Sequence, residues 1–129
     1  MAGFIIISEE PKIIQLNDGE KFFGSVSEIT SRAVGALRAN VAEVTLWGAD
    51  FLHHHKEAEE TYICTKGKGE LYLGDNVIDF VLGVRVIIKP NTLHATRPKG
   101  EFERLTFLCV ASPAFSPDDV YNHELGRRW

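Results

Sequence analysis

The chain has 129 residues and a mass of 14.4 kDa, a length that predicts one ordinary domain spanning residues 1–129. Hydrophobic residues make up 44% of the sequence and charged residues 25%, which excludes wholesale disorder and fibrous repeats. Fourteen Lys and Arg against eighteen Asp and Glu give a formal charge of −4, and because no concentrated basic patch is present, nucleic acid is not an expected partner.

The terminal segments and the two cysteines indicate the cellular compartment of the protein. Residues 4–7 form a short apolar run with no basic residue before it and acids soon after it, which argues against a signal peptide. No later run approaches the roughly 18 apolar residues of a membrane span, and Arg127 and Arg128 predict a solvated tail. Cys64 and Cys109 lie in apolar or β-rich stretches, which favours two reduced thiols. We therefore expect a cytoplasmic protein without a membrane partner.

Short β-favouring runs recur along the chain, separated by residues that suit tight turns. The runs are 4–7, 41–47, 51–55, 61–65, 70–73, 77–81, 84–88 and 102–110. The connectors at 66–69, 74–76, 82–83 and 98–100 supply Gly, Asn, Asp or Pro. This pattern predicts an all-β sandwich or barrel.

Two segments have helical features. Ser25 and Glu28 have the spacing of a capping box ahead of a helix to residue 37, although nearby glycines and β-branched residues weaken that interpretation. Ser116 followed by Pro117 and two acidic residues is a stronger helix start. We expect a short C-terminal helix there.

Three consecutive histidines, His53, His54 and His55, stand at the end of the strand predicted at 51–55. Since side chains alternate along a strand, His53 and His55 share one face and His54 takes the other. A hairpin returning along the next strand could bring Glu60 to the same face. His94, beyond the predicted strand 84–88 and the turn at Pro90, is available as a fourth donor.

Three imidazoles and one carboxylate are ligands typical of a divalent transition metal. The ligand types alone leave iron, manganese, zinc, nickel, cobalt and copper undistinguished. The expected cofactor is therefore one divalent ion of this group.

The segment 48–67 resembles the first motif of the cupin family, which has a glycine, then His-x-His, a glutamate and a second glycine at set intervals. The matching positions are Gly48, His53, His55, Glu60 and Gly67. Glu59 also fits the gap after the histidines, but it misses the interval to Gly67. Glu60 is therefore the expected ligand.

The segment 83–98 resembles the second cupin motif, Gly-x5-Pro-x-Gly-x2-His-x3-Asn, with Gly83 and His94 in place. Lys89 stands where the motif has its proline, Asn91 where it has its second glycine, and Pro98 where it has asparagine. These departures affect turn geometry and spare the four candidate ligands. Both motifs and the segment between them span about two fifths of the chain.

The resemblance implies a cupin-type double-stranded β-helix, a jelly-roll barrel whose mouth holds one divalent metal on His53, His55, Glu60 and His94. Four protein ligands would leave one or two positions open for water, substrate or dioxygen. An open position is typical of catalytic rather than structural metal sites.

The phase of the strands also predicts which residues line the cavity. Tyr62 shares the phase of Glu60, so it is a candidate catalytic acid or base, with a core aromatic as the alternative. Phe51, Cys64 and Thr96 are candidates for contacting substrate, although a buried thiol is the commoner role for a residue such as Cys64.

The expected function is that of a small mononuclear-metal enzyme acting on a small organic molecule. Lewis-acid isomerase, lyase or cyclase chemistry is slightly favoured, because an exposed thiol beside an oxygen-activating iron is a liability. The first alternative is a non-haem iron dioxygenase. The second is a non-catalytic module that binds a small ligand or sugar, which turnover lost in His94→Ala would exclude.

Two apolar stretches suggest self-association. Residues 4–7 and the hairpin 77–88 are too hydrophobic for fully exposed sheet edges. Because a symmetric dimer would cover them, and because cupins are often dimers, we expect a homodimer.

Overall fold

The computed structural model of the protein describes residues 3–14, 22–123 and 129. These residues form eleven strands. The solvated tail predicted at Arg127 and Arg128 lies outside the described residues. The strands are β1 (Lys12–Ile14), β2 (Gly24–Glu28), β3 (Asn40–Leu46), β4 (His53–His54), β5 (Glu59–Lys66), β6 (Lys68–Leu73), β7 (Asn76–Val81), β8 (Arg85–Ile88), β9 (His94–Pro98), β10 (Leu105–Ser112) and β11 (Tyr121–Asn122). Within the same ranges, no helix has the length and apolar character that crossing a membrane requires.

The strands make two antiparallel sheets. One has six strands in the order β1-β2-β3-β10-β5-β8, and the other has five in the order β11-β4-β9-β6-β7. From β3 to β6 the chain changes sheet at every connection, and it does so again from β7 to β10, which is the winding of a double-stranded β-helix. The all-β prediction and the cupin-type fold class are confirmed.

The expectation of a closed barrel is wrong. No strand of one sheet pairs with a strand of the other among the described residues. The chain crosses between the sheets at a tight corner between β5 and β6, where Gly67 has a φ of 87° and a Cβ would lie 2.1 Å from the carbonyl oxygen of Arg104. Only glycine fits this conformation, and the chain leaves one sheet there without continuing the backbone ladder.

The hydrophobic core lies between the two sheets. Along β5 the side chains of Glu60, Tyr62 and Cys64 are buried, and those of the alternate residues are partly or fully exposed. The core side chains are Leu46, Tyr62, Cys64, Leu71, Phe80, Ile88, Leu105 and Phe107. Strand alternation therefore decides which residues reach the space between the sheets.

The helix predicted from residue 25 is wrong, and at the C-terminal site the structure has only a single 3-10 turn. The segment from residue 25 belongs to β2, which pairs with β3 along its whole length, and only a 3-10 turn, Arg32–Val34, follows it. Sheet pairing there outweighs the local capping pattern. At the second site the Ser116 hydroxyl accepts a hydrogen bond from the backbone N–H of Asp118, as expected of a cap. The turn nevertheless ends after Pro117–Asp119, because β11 then pairs with β4.

The N-terminal run also differs from its prediction. Residues 4–7 form no strand, and the side chains of Phe4 and Ile6 are 84% and 81% exposed. Strands β1, β2, β9 and β11 had no counterpart among the predicted runs. β1 and β11 are only three and two residues long, and β2 and β9 lack a sustained β-branched or aromatic pattern.

Candidate metal centre

Three histidines reach the centre from the side of the five-stranded sheet. β4 pairs with β9 at His53 and His94, which sets their ring centroids 4.2 Å apart. His55 lies just beyond β4, with its ring centroid 5.2 Å from that of His53. His54 lies on the other side of the strand and stacks on Tyr121. Alternation along the strand therefore separates His54 from the other three.

The fourth donor comes from the opposite sheet. Glu60 is buried on β5, and its Oε1 lies 2.9 Å from His55 Nε2 and 3.1 Å from His94 Nε2. One donor atom from each of His53, His55, Glu60 and His94 lies within 4.8 Å of the others. Glu59 instead faces the surface and forms an ion pair with Lys89.

Each histidine is held by a backbone carbonyl through its other ring nitrogen, Nδ1. The distances are 2.7 Å from His53 to Phe51 O, 2.8 Å from His55 to Asp119 O and 2.8 Å from His94 to Thr92 O. Because a carbonyl oxygen only accepts hydrogen bonds, Nδ1 carries the proton and Nε2 presents a lone pair to the centre.

When the imidazoles are neutral, lone pairs therefore meet at the centre. His55 Nε2, His94 Nε2 and Glu60 Oε1 are buried and have no hydrogen-bond partner among the described residues, so their short separations bring acceptor against acceptor. Each buried unpaired group costs about 1–3 kcal/mol. A cation is needed to balance them, and a donor set of three nitrogens and one oxygen fits a divalent transition metal.

The electrostatics of the cluster agree with this need. Burial raises the pKa of Glu60, but contact with His55 and His94 more than offsets the effect and holds that pKa well below its ordinary value. Burial lowers the pKa of His55, yet Glu60 outweighs it and the net shift is upward. A proton on His55 would therefore compete with a metal ion for the interaction with the Glu60 carboxylate.

His53 differs from His55. Burial, followed by the charge of His94, lowers the pKa of His53 to about 3. Its imidazole is therefore neutral at ordinary pH and keeps the lone pair that a metal needs.

Three of the four predicted cavity residues lie around the cluster. The ring of Tyr62 meets that of His94 edge to face, with centroids 5.9 Å apart, and burial followed by the charge of Glu60 raises the tyrosine pKa well above its ordinary value. Phe51 is buried beside His53, which its carbonyl holds. Thr96 is buried on β9, two residues beyond His94.

Cys64 belongs to the opposite end of β5. Its Sγ lies 3.9–4.0 Å from the carbonyl oxygens of Lys66, Gly67 and Phe80, and it packs in the hydrophobic core. A contact between Cys64 and substrate therefore stays a prediction, with the core role as its alternative.

Sequence reasoning missed the thiol that does lie at the centre. Cys109, on β10, donates a hydrogen bond of 3.0 Å from Sγ to Glu60 Oε2. Burial, with the charge of Glu60, raises the pKa of this thiol well above its ordinary value, so it keeps the proton that it donates. No motif marks Cys109, and only the pairing of β10 with β5 shows the contact.

Asp119 was also missed, and it acts on both sides of His55. Its carbonyl accepts the Nδ1 proton of His55, and its carboxylate accepts the backbone N–H groups of Lys56, Glu57 and Ala58 at 2.9–3.3 Å. Burial is the largest single effect and opposes ionisation, but these backbone hydrogen bonds together outweigh it and lower the pKa of Asp119. The residue ties the C-terminal segment to the histidine loop.

Asp50 is the third residue that sequence reasoning missed. Burial raises its pKa to about 6, partly offset by a hydrogen bond from the N–H of Phe51 and by the charge of His94. A carboxyl group with this pKa gains and loses a proton near neutral pH. Its sequence signal was its place just before the histidine strand.

Comparisons with known proteins agree with this geometry. No family model matches the sequence. The chain is 30% identical over 82 residues to an L-ectoine synthase from Teredinibacter turnerae, a match that covers 60% of this chain and 58% of that protein. The chain thus spans less than two thirds of the length of its curated relative.

Solved structures give broader coverage. Pac13, described as a nucleoside dehydratase, has a TM-score of 0.71 and 17% identity over 95% of this chain and 92% of its own. Oxalate decarboxylase from Bacillus subtilis has a TM-score of 0.71 and 20% identity over 91% of this chain and 32% of its own. A double-stranded β-helix protein from Klebsiella pneumoniae has a TM-score of 0.66 and 19% identity over 78% of this chain and 84% of its own.

Identities this low establish a shared fold and no more. That fold is the double-stranded β-helix, and both cupin motifs of this sequence meet in it at one cluster. By fold, the chain is similar to double-stranded β-helix proteins, and the four residues at the cluster occupy the positions that resemble the cupin motifs.

Proposed function

We propose that the chain is a mononuclear metal enzyme that acts on a small organic molecule, with His53, His55, Glu60 and His94 as the metal ligands. One observation carries the proposal. One ring nitrogen from each of the three histidines and one carboxylate oxygen lie within 4.8 Å of one another, and His55 Nε2, His94 Nε2 and Glu60 Oε1 are buried without a hydrogen-bond partner among the described residues. Three backbone carbonyls fix the imidazoles in the orientation that metal binding requires.

Four protein donors leave room on a five- or six-coordinate ion for a substrate oxygen. Bound there, the metal would supply Lewis acidity that stabilises negative charge developing on that oxygen. Which divalent ion is native is not fixed by the donors, and iron, manganese, zinc, nickel, cobalt and copper all suit them.

The chain's own residues would handle protons. Tyr62 keeps its proton because its pKa is raised, so its hydroxyl serves as a hydrogen-bond donor or acid. Asp50, with a pKa of about 6, can accept a proton at neutral pH. Phe51 and Thr96, which are both buried, would contact the substrate beside the histidines.

The names of the similar proteins support a small substrate. Pac13 is described as a nucleoside dehydratase, and another neighbour is an oxalate decarboxylase. Dehydration is an elimination, the class of reaction that Lewis-acid catalysis assists. We therefore favour isomerase, lyase or cyclase chemistry for this chain.

Cys109 supports the same choice over a dioxygenase. Its thiol is in hydrogen-bond contact with Glu60, directly beside the proposed metal. Thiols are readily oxidised, so oxygen activation at this position would put Cys109 at risk.

The test is turnover under anaerobic conditions. Zinc- or manganese-loaded protein is incubated in D2O with a panel of small hydroxy and oxo acids and nucleosides, and NMR detects deuterium exchange or loss of water. We expect exchange or elimination that Tyr62→Phe reduces. In a separate assay in air, dioxygen consumption by iron-loaded protein with the same panel would support the dioxygenase alternative. Ligand binding without turnover would support the binding module.

A homodimer and a cytoplasmic location belong to the same proposal. Both cysteines are free thiols in the structure, as expected of a protein from a reducing compartment.

A further inference from the structure

The side chain of Trp129 lies on the outer face of the five-stranded sheet, the face away from the candidate metal centre. The guanidinium Cζ of Arg97 lies 3.8 Å from the centroid of the indole ring, and the ring of Tyr72 lies 5.8 Å from it, centroid to centroid. Thr96 and Leu71, the neighbours of these two residues in the chain, are buried between the sheets. Alternation along β9 and β6 therefore directs Arg97 and Tyr72 outward.

The sheet holds the guanidinium in place beneath the indole ring. Arg97 is the cross-strand partner of Glu70, and the Glu70 carboxylate accepts hydrogen bonds of 3.3 and 3.2 Å from Nε and Nη2 of Arg97. Ala95, which shares the outward phase of Arg97, is 0% exposed, so this part of the outer face is shielded from solvent. A guanidinium held against an indole ring forms a favourable cation–π contact.

The backbone of Trp129 reaches the segment that precedes the histidines. Its N–H donates a hydrogen bond of 3.2 Å to the carbonyl oxygen of Asp50, and the N–H of Asp50 donates one of 2.9 Å to the carbonyl oxygen of Thr96. Thr96 is next to Arg97 in the chain, so the contacts form a closed ring. Trp129 is therefore joined to residue 50 through its backbone and to β9 through its side chain.

Two further hydrogen bonds lead from Asp50 to a proposed metal ligand. The Asp50 carboxyl group accepts the N–H of Phe51 at 2.7 Å, and the Phe51 carbonyl holds Nδ1 of His53 at 2.7 Å. The strand β4 itself pairs with β9 at one position only, His53 with His94. Because so short a ladder gives little support, the orientation of the His53 ring depends on the residues just before it.

We propose that Trp129 is a positioning residue for the proposed metal centre. Its ring, held on Arg97, keeps Asp50 and Phe51 against β9, and the Phe51 carbonyl then fixes the imidazole of His53. Trp129 contributes no ligand and lies on the opposite face of the sheet. The effect on metal binding rests on the proposed function, whereas the effect on the segment before the histidines does not.

The chain offers a matched control in its other tryptophan. Trp47 directly follows β3 and is 43% exposed, and the guanidinium Cζ of Arg104 lies 5.2 Å from its ring centroid. Its N–H donates to the carbonyl oxygen of Phe23, which is not a neighbour of any proposed ligand. Trp47→Ala therefore removes a tryptophan beside an arginine without disturbing the contacts that lead to His53.

The first measurement is hydrogen exchange by mass spectrometry on metal-free protein, read in a peptide that spans residues 49–55. We expect Trp129→Ala to speed exchange in this peptide about tenfold, because local opening becomes easier there. Trp129→Phe, which keeps an aromatic ring for Arg97, should restore most of the protection, and Trp47→Ala should leave it unchanged. Arg97→Gln should act like Trp129→Ala, and the double variant should add little to either, since both residues act through one contact.

The second measurement is made on cobalt-loaded protein. Trp129→Ala should raise the cobalt dissociation constant about threefold to tenfold and change the visible spectrum, whereas Trp129→Phe and Trp47→Ala should stay close to wild type. Circular dichroism shows that each variant folds.

Unchanged exchange in Trp129→Ala, or equal acceleration in Trp47→Ala, would overturn the proposal. Faster exchange with an unaltered cobalt affinity and spectrum would overturn the link to His53. A wild-type chain that binds no cobalt would contradict the proposed function instead, and the exchange comparison would still decide whether Trp129 holds the segment before the histidines.

Discussion

Glu60 is the only anion among the four proposed ligands, and it alone comes from the six-stranded sheet. Both features make it the residue on which the centre depends. Its Oε1 faces two histidines, and its Oε2 accepts the Cys109 thiol. The carboxylate is thereby held with one oxygen toward the centre.

Replacing Glu60 by Gln should keep the shape of the centre and remove its negative charge. We expect metal affinity to fall by about one order of magnitude or more, as measured by competition with a chromophoric chelator. Glu59→Gln is the matched control, since Glu59 only pairs with Lys89 at the surface, where ion pairs contribute little. Equal losses in both variants would show that Glu60 is not the ligand.

The two cysteines allow a second comparison. Cys109→Ala removes the donor to Glu60 Oε2 and should lower cobalt affinity several-fold and change the visible spectrum of the cobalt-loaded protein, whereas Cys109→Ser should preserve both. Cys64→Ala should lower stability by about 1–2 kcal/mol through a core cavity and leave the spectrum unchanged. An unaltered spectrum and affinity in Cys109→Ala would contradict a positioning role for this thiol.

At the scale of elements, the 3-10 turn Pro117–Asp119 joins the C-terminal segment to the loop after β4. Asp119 accepts hydrogen bonds from three consecutive N–H groups of that loop and from the His55 ring. We infer that this turn holds His55 in place although it contributes no ligand.

Asp119→Asn should therefore destabilise the fold by about 1 kcal/mol at neutral pH, because a neutral amide is a weaker acceptor. The folded pKa of Asp119 lies below the ordinary value, so its contribution is complete above the unfolded pKa of about 3.9 and is lost as pH falls through the folded pKa. Urea unfolding should show a difference between variant and wild type at pH 7 that becomes smaller at pH 3. Asp118→Asn, one residue away, should have the stability of the wild type at both pH values. A loss of stability as large as that of Asp119→Asn would contradict the inference that Asp119 holds the loop of His55 in place.

The sequence predicted strands β4 and β5 and the four residues of the cluster because both depend on local rules, whereas β9, in the middle of the five-stranded sheet, was not predicted. Strand alternation puts His53 and His55 together, and the cupin intervals single out Glu60 and His94. The sequence did not indicate the roles of Cys109 and Asp119, because each acts through a contact with a residue far away in the chain. The helix expected at 116–119 failed for the same reason, since pairing of β11 with β4 is a tertiary event that the capping residues do not report.

At the scale of the whole molecule, the centre bridges the two sheets. His53 and His94 lie on the five-stranded sheet, and Glu60 lies on the six-stranded one. Because no backbone ladder joins the sheets among the described residues, a metal bound there would be a direct link between them.

Metal should therefore stabilise the whole fold. At a free concentration of 100 times the dissociation constant, binding contributes about 2.7 kcal/mol, which for a chain of this size raises the Tm by roughly 10 °C. Differential scanning calorimetry with zinc and then with EDTA would show the gain and its reversal. His94→Ala should not respond to zinc, and a wild-type Tm indifferent to zinc would contradict the link.

The most direct test of the account is the metal content of the protein itself. Untagged protein purified without a nickel column is examined by elemental mass spectrometry beside His53→Ala. We predict about one equivalent of a divalent transition metal per chain in the wild type, and its loss in the variant. A wild-type protein that holds no metal even after reconstitution would contradict the assignment of His53, His55, Glu60 and His94 as a metal centre.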